Sequence, residues 1–156
     1  MKAWTWLLFA VSAAASGGAA DFETDTIPLD GGSVKITFIG HGTLMLEYDG
    51  RVIHVDPVSR EADYSRMPKA DLILITHSHQ DHLDKDAVGK IKKKDTVIVL
   101  NRQSSETLPE GNVMVNGEAR SFLGITIEAV PAYNTTPGRG GHRPEGRDNG
   151  YILTLG

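Results

Sequence analysis

The chain has 156 residues, a formal net charge of −4, a pI of about 5.8 and no cysteine. That length suits one domain, and acidity without a basic patch argues against nucleic acid as a partner. The absence of thiols excludes a disulfide framework and a thiolate metal ligand, so any metal site must be built from histidine and carboxylate.

Residues 1–20 read as a signal peptide. Lys2 is a positive start, Ala3 to Ala15 is an apolar stretch, and Ser16-Gly17-Gly18-Ala19-Ala20 supplies the small residues that signal peptidases cut. The apolar run falls short of the roughly 20 residues of a membrane span, and there is no cysteine to carry a lipid. The expectation is an exported, periplasmic or secreted chain of residues 21–156, with no stable membrane anchor after cleavage. Its net charge moves to −5 with the loss of Lys2.

Asp21 to Gly32 is polar, carries Pro28 and Gly31-Gly32, and reads as an irregular lead-in. Val34 to Ile39 alternates as a strand does, with Val34, Ile36 and Phe38 on one face. Thr43 to Tyr48 and Arg51 to Val55 are two more strands, joined by Asp49-Gly50, a dipeptide favoured by type I′ hairpins. Between the first two lies Gly40-His41-Gly42, which read alone is a turn showing a histidine to solvent. His54, inside a strand, reads as a half-buried structural histidine. Asp56-Pro57 ends its strand and leaves a carboxylate at the sheet edge. Ser59 to Lys69 is a polar connector expected to cover whatever site lies nearby.

Asp71-Leu72-Ile73-Leu74-Ile75 is a short apolar run of the kind found in strands buried on both faces. It delivers Thr76-His77-Ser78-His79-Gln80-Asp81-His82 to the sheet edge, where α/β proteins place ligand sites. Three of the six histidines and a carboxylate fall within six positions. Imidazole and carboxylate are ligands for a borderline divalent metal such as zinc. If the segment is extended, His77, His79 and Asp81 share a side, and His82 points to a neighbouring position, as a second metal would require. The alternative is a polar loop whose histidines cap the next helix.

Asp84 is placed to cap a helix running to about Lys93, with Leu83, Ala87, Val88 and Ile91 as its apolar stripe. Lys90, Lys92, Lys93 and Lys94 suit the helix C-terminus and water better than a nucleic-acid patch. Thr96 to Leu100 is a buried-type strand that completes a βαβ unit with the histidine loop at its top. Val113 to Val115 and Gly124 to Val130 are further strands, with Asn116-Gly117 as a turn. Thr135 to Asn149 is a long aperiodic loop, of a kind that is usually functional, holding His142 among Arg139, Arg143 and Arg147. Those arginines equally mark an anion-binding loop. Asn149 to Gly156 starts a strand, with Ile152, Leu153 and Leu155 expected to lack a partner.

His-x-His-x-Asp-His after a hydrophobic strand resembles the signature of the metallo-β-lactamase superfamily. The fuller Thr-His-Ser-His-Gln-Asp-His-Leu-Asp is similar to its ascorbate-6-phosphate-lactonase-like branch of metal-dependent hydrolases. The resemblance runs from about Ser33 to Gly156. It implies an α/β fold: the N-terminal half of an αββα sandwich, with a mixed sheet and the helix after His82 packed outside. It also implies His77, His79 and His142 around one metal, with Asp81 and His82 on the other. Asp81 would orient the attacking water, Asp56 would partner a ligating histidine, and His41 would stand on the substrate side. The cofactor implied is one or two zinc ions, or manganese in their place. The partner is a small-molecule substrate, a lactone or phosphoester, and no oligomeric state is implied. The family pattern continues with a metal-bridging acidic residue and a later histidine, neither of which lies within these residues. A domain without them is expected to bury its inner face incompletely, and the alternative function is a non-catalytic metal-binding remnant.

Overall fold

The computed structural model describes residues 22–139, 142 and 145–156; the signal-peptide reading of residues 1–20 lies outside them. Seven strands form the first sheet: β1 (Glu23–Leu29), β2 (Gly32–Gly40), β3 (Thr43–Tyr48), β4 (Arg51–Val55), β5 (Leu72–Ile75), β6 (Val97–Leu100) and β7 (Asn112–Val113). They lie side by side in chain order. The pairs from β1 to β4 are antiparallel and those from β4 to β7 parallel, so the sheet is mixed. A second, antiparallel sheet holds β8 (Ala119–Phe122), β9 (Ile125–Pro131) and β10 (Asn149–Thr154) in the order β10-β9-β8. Among the described residues the α-helix is α1 (Lys85–Ile91), lying between the parallel strands β5 and β6. No described helix is long and apolar enough to cross a membrane.

Local chemistry accounts for most boundaries. Asp49 and Gly50 both take positive φ, 48° and 69°, as the type I′ hairpin between β3 and β4 requires. The side chain of Asp84 accepts from the backbone N–H groups of Asp86 and Ala87, capping α1. Two strands escaped the sequence pattern. β1 replaces the expected lead-in, because it is an edge strand exposed at every position but the last and has no buried face to impose a period of two. An edge is also where Pro28 costs no ladder hydrogen bond. β8, Ala-Arg-Ser-Phe, is likewise short and exposed.

The core has two layers, one on each face of the first sheet. Outside, Ala87, Val88 and Ile91 of α1 pack with Ile73, Ile75, Ile98 and Leu100. Inside, Ile53, Leu72, Leu74 and Val99 meet Ile125, Ile127 and Ala129 of the second sheet. β5 feeds alternate residues to both layers, which is why it is a continuous apolar run. The incomplete inner burial expected from the sequence is corrected: Leu72 and Leu74 are 0% and 1% exposed. β10 does have a partner, since it turns back on β9 with Leu153 opposite Ile127. Leu153 and Leu155 pack on the inner core, while Ile152 stands out at 52% exposure. The connector 59–69 is part of the outer core more than a cover, with Tyr64 fully buried in it.

His54 is also fully buried, its Nε2–H donating to the carbonyl of Pro68 at 3.1 Å beside the Tyr64 ring. Burial pushes its pKa from 6.5 down to about 4, against the pull of that hydrogen bond. The unfolded chain therefore binds this proton more readily than the folded one. Its contribution to stability is whole above the ordinary value and is lost as pH falls from about 6.5 to about 4, by roughly 3 kcal/mol in all. Unfolding curves across that window should show the wild type losing stability faster than His54→Phe. Parallel curves would show that His54 does not carry this acid sensitivity.

Candidate metal centre

The site grows from the adjacent ends of β4 and β5. Val55 pairs with Leu74, so Asp56 and Thr76 leave the sheet side by side. The backbone N–H of Asp56 donates to the Leu74 carbonyl at 2.9 Å. In return its carboxylate accepts from Thr76 N–H at 2.8 Å and from Thr76 Oγ1 at 2.6 Å. Asp56 is 2% exposed and takes a φ of +44°, a left-handed conformation that aspartate tolerates better than most residues. Thr43 Oγ1 donates to its carbonyl at 2.7 Å, tying the turn between β2 and β3 to the same corner.

These bonds assign the protons on the imidazoles. Thr76 Oγ1 gives its hydrogen to Asp56, so at 2.9 Å it accepts from His77 Nδ1–H. That leaves a lone pair on His77 Nε2, an atom that is buried and has no hydrogen-bond partner. His82 Nδ1 donates to Asp56 Oδ2 at 2.8 Å, and His142 Nδ1 donates to Asp148 Oδ2 at 3.0 Å. Three histidines thus hold Nδ1 to an oxygen and present Nε2, the arrangement in which metal-ligating imidazoles are held. Burial, then the neighbouring His82, pushes His77 down to about 4, keeping it neutral as a metal ligand must be. The bond to Asp56 holds His82 above its ordinary value against the effect of burial. Burial works against a charge on Asp148, but Arg147 and His142 hold its carboxyl below the usual carboxylate range.

His77, His79 and His142 bring ligand atoms within 4.8 Å of one another, with ring centroids 4.6, 4.7 and 5.1 Å apart. A second set of the same compactness is His41, Asp81 and His82. Asp56, His77 and His82 also cluster, but both Asp56 oxygens are already occupied by donors. The donor sets fit a divalent ion: His77, His82 and His142 commit Nδ1 to an oxygen and leave Nε2 for a ligand, and the Nε2 of His77 is buried and otherwise orphaned.

The expected convergence of Asp81 with His77 and His79 does not occur. The loop is not extended there. His82 N–H and Leu83 N–H both turn back to the His79 carbonyl, at 2.9 and 2.8 Å, and the turn carries Asp81 over to His82 and His41. His41 itself takes a φ of +50°. A Cβ at Gly42 would lie 2.8 Å from Cε1 of His82, so glycine is what lets the turn close on that ring. Gly42→Ala should weaken ion binding at Asp81 and His82 about tenfold while the fold survives; competition with a chelator measures this, and unchanged affinity would refute it.

Two contributors were missed, and a third was read differently. Thr76 stood in the motif, but hydroxyl residues there carry no spacing signal. Asp148 falls at the end of the aperiodic stretch 135–149, just before the expected strand, where no pattern singles it out. Arg147 grips Asp148 through two bonds of 2.9 and 2.8 Å, so its guanidinium serves the site instead of standing free for an anion. Asn149 N–H donates to the Thr76 carbonyl at 3.0 Å and Tyr151 Oη donates to the Ile75 carbonyl at 2.9 Å, docking the His142 loop onto the end of β5. Arg139 is exposed, and Arg143 lies outside the described residues.

Residues 35–156 match the Beta-lactamase superfamily domain. Among solved structures, the chain is similar to a candidate metal-dependent hydrolase from Parabacteroides distasonis. The TM-score is 0.82 and the identity 52%, over 86% of this chain and 62% of that one. A UPF0173 metal-dependent hydrolase from Carboxydothermus hydrogenoformans is 28% identical over 136 residues, 79% of this chain and 58% of that protein. The fold alone is shared with a diiron β-hydroxylase from Streptomyces venezuelae, at TM-score 0.62 and 18% identity over 78% of this chain and 27% of that one. The chain therefore spans well under the full length of the relatives it matches. With a two-layer mixed-sheet fold, a histidine–aspartate loop at the end of a buried strand and a domain match over residues 35–156, the chain belongs to the metallo-β-lactamase superfamily, whose members similar to it are named metal-dependent hydrolases.

Proposed function

We propose that this chain carries the metal centre of a hydrolase acting on a lactone or phosphoester, within the ascorbate-6-phosphate-lactonase-like branch. The observation that carries the reading is the buried, unpartnered His77 Nε2 facing His79 and His142. His77, His79 and His142 hold one divalent ion, zinc or manganese, and Asp81 and His82 contribute to a second. A bound ion of this kind lowers the pKa of water toward neutrality and polarises the scissile bond. The protein's own part is positional. Asp56 and Asp148 fix the imidazoles, Asp81 accepts a hydrogen bond from the attacking water and orients it, and His41, 46% exposed, stands at the mouth on the substrate side.

The test is metal content, followed by turnover of lactone and phosphodiester substrates with added zinc or manganese. The purified chain should retain metal, and His77→Ala with His79→Ala should lose the tightly held equivalent. No loss in the double variant would overturn the reading. Metal binding without turnover, restored in a chain extended to the length of the relatives, would favour the non-catalytic reading of these 156 residues. The export signal read in residues 1–20 places the protein outside the cytoplasm. Intact mass from its host should then begin near Asp21, and a full-length cytoplasmic chain would refute export.

A further inference from the structure

We propose that Asn116 is a positioning residue of the metal centre: its side-chain amide closes the neck of the loop that carries His142 and so sets that imidazole against His77 and His79. The inference rests on the metal-centre reading above and deepens it by naming what holds the third ligand in place. The loop leaves β9 after Pro131 and rejoins the sheet at Asn149, the first residue of β10. Asn116 Nδ2 donates across that neck. It lies 3.1 Å from the Val130 carbonyl, 3.2 Å from the Asp148 carbonyl and 2.8 Å from Asn149 Oδ1. Two hydrogens thus serve three oxygens, one on the β9 side and two on the β10 side. Reversing the amide would turn Oδ1 toward all three, so the surroundings fix which way it faces.

The turn alone does not call for asparagine. In Val115-Asn116-Gly117-Glu118 the Glu118 N–H donates to the Val115 carbonyl at 3.0 Å, and the positive φ of +88° falls on Gly117. This is the pattern of a type II turn, which demands glycine or asparagine at its third position and not at its second. The side-chain carbonyl is not the reason either, since Asn116 Oδ1 is buried and has no partner. An orphaned buried acceptor is a cost, so what the side chain supplies here is its donors. Asn149 carries the clip inward: its Nδ2 donates to the Met114 carbonyl at 2.9 Å, and its N–H donates to the Thr76 carbonyl at the end of β5. Asp148, whose carbonyl Asn116 holds, in turn accepts from His142 Nδ1 at 3.0 Å. The loop is exposed at residues 135–139, 145 and 146, so His142 takes its position from this neck through Asp148.

The experiment compares the wild type with Asn116→Ala, Asn116→Asp, His142→Ala and the Asn116→Ala, His142→Ala double variant. Zinc affinity is read by chelator competition, and amide hydrogen exchange is followed in the metal-free chains. Asn116→Asp keeps the shape but, ionised, offers no donor, so it and Asn116→Ala should both hold the tightly bound zinc about tenfold more weakly. In the His142→Ala background the Asn116 substitution should cost nothing further, because its effect runs through that ring. Without metal, the amides of Ala132 and Asn149, which donate to the Asp148 and Thr76 carbonyls, should exchange faster in Asn116→Ala while those of β5 stay protected. Wild-type affinity in Asn116→Ala, or a loss that simply adds to that of His142→Ala, would show that Asn116 does not act on the ligand and would overturn the proposal. Unchanged exchange at those two amides, or a rise shared equally by β5, would overturn it too. A wild type that takes up no zinc would sink the metal-centre reading itself, and the exchange measurement, which needs no metal, would still decide whether Asn116 closes the neck.

Discussion

Replacing Asp56 with alanine is expected to cost the protein both metal and stability. Its buried carboxylate accepts from Thr76 N–H, Thr76 Oγ1 and His82 Nδ1, and through Thr76 it also sets the proton on His77. One side chain thus orients a histidine of each candidate ion pocket. Removing such a partner costs about 10–100-fold in metal affinity. It also strands three partly buried donors, at about 1–3 kcal/mol for each one left unsatisfied. Asp56→Asn separates the two effects. It keeps the shape and one acceptor, but turns an N–H toward donors, so metal affinity should fall nearly as far while packing is preserved. Affinity is measured by chelator competition and stability by denaturation of the metal-free protein. An Asp56→Ala variant with normal affinity would show that the imidazoles need no orienting carboxylate.

How much of this was legible depended on where each residue gets its constraint. The run 71–75 was readable because a strand buried on both faces must be apolar throughout, and the residues after it had to emerge at the sheet edge. Asp49-Gly50 and Asp84 were readable because their chemistry is local. β1 was not: an exposed edge strand is held by backbone bonds to β2, which any sequence can make, so its side chains carry no pattern. The histidine loop was readable in composition and misread in shape. Alternation assumes extended backbone, and the turn at His79 sends Asp81 to a different partner set. Asp148 and Thr76 were invisible for a further reason. Thr76 acquires its role only once β5 has paired with β4 and set Asp56 beside it, and Asp148 only once β10 has folded back on β9 to the end of β5.

Leu74→Ala is expected to bring the metal-free chain close to unfolding, and added metal should restore part of the loss. Leu74 is 1% exposed in the inner core, where both sheets meet, and its carbonyl accepts from Asp56 N–H at the edge of the site. Truncating such a leucine removes transfer energy and leaves a cavity, together about 2–5 kcal/mol. Domains of this kind hold only about 5–15 kcal/mol in all, so the denaturation midpoint should drop by a large fraction while the slope stays the same. The candidate centre exists only when β4, β5 and the loop carrying His142 are assembled, so an ion binds the folded state and not the unfolded one. At a free concentration one hundred times its dissociation constant it adds about 2.7 kcal/mol. The mutant should recover by that amount in zinc, and a His77→Ala, His79→Ala version of it should recover less. A chain whose inner face was left half-covered would instead unfold broadly and respond little to the loss of Leu74. That outcome would mean that the packing of β9 and β10 against the first sheet does not hold the site together.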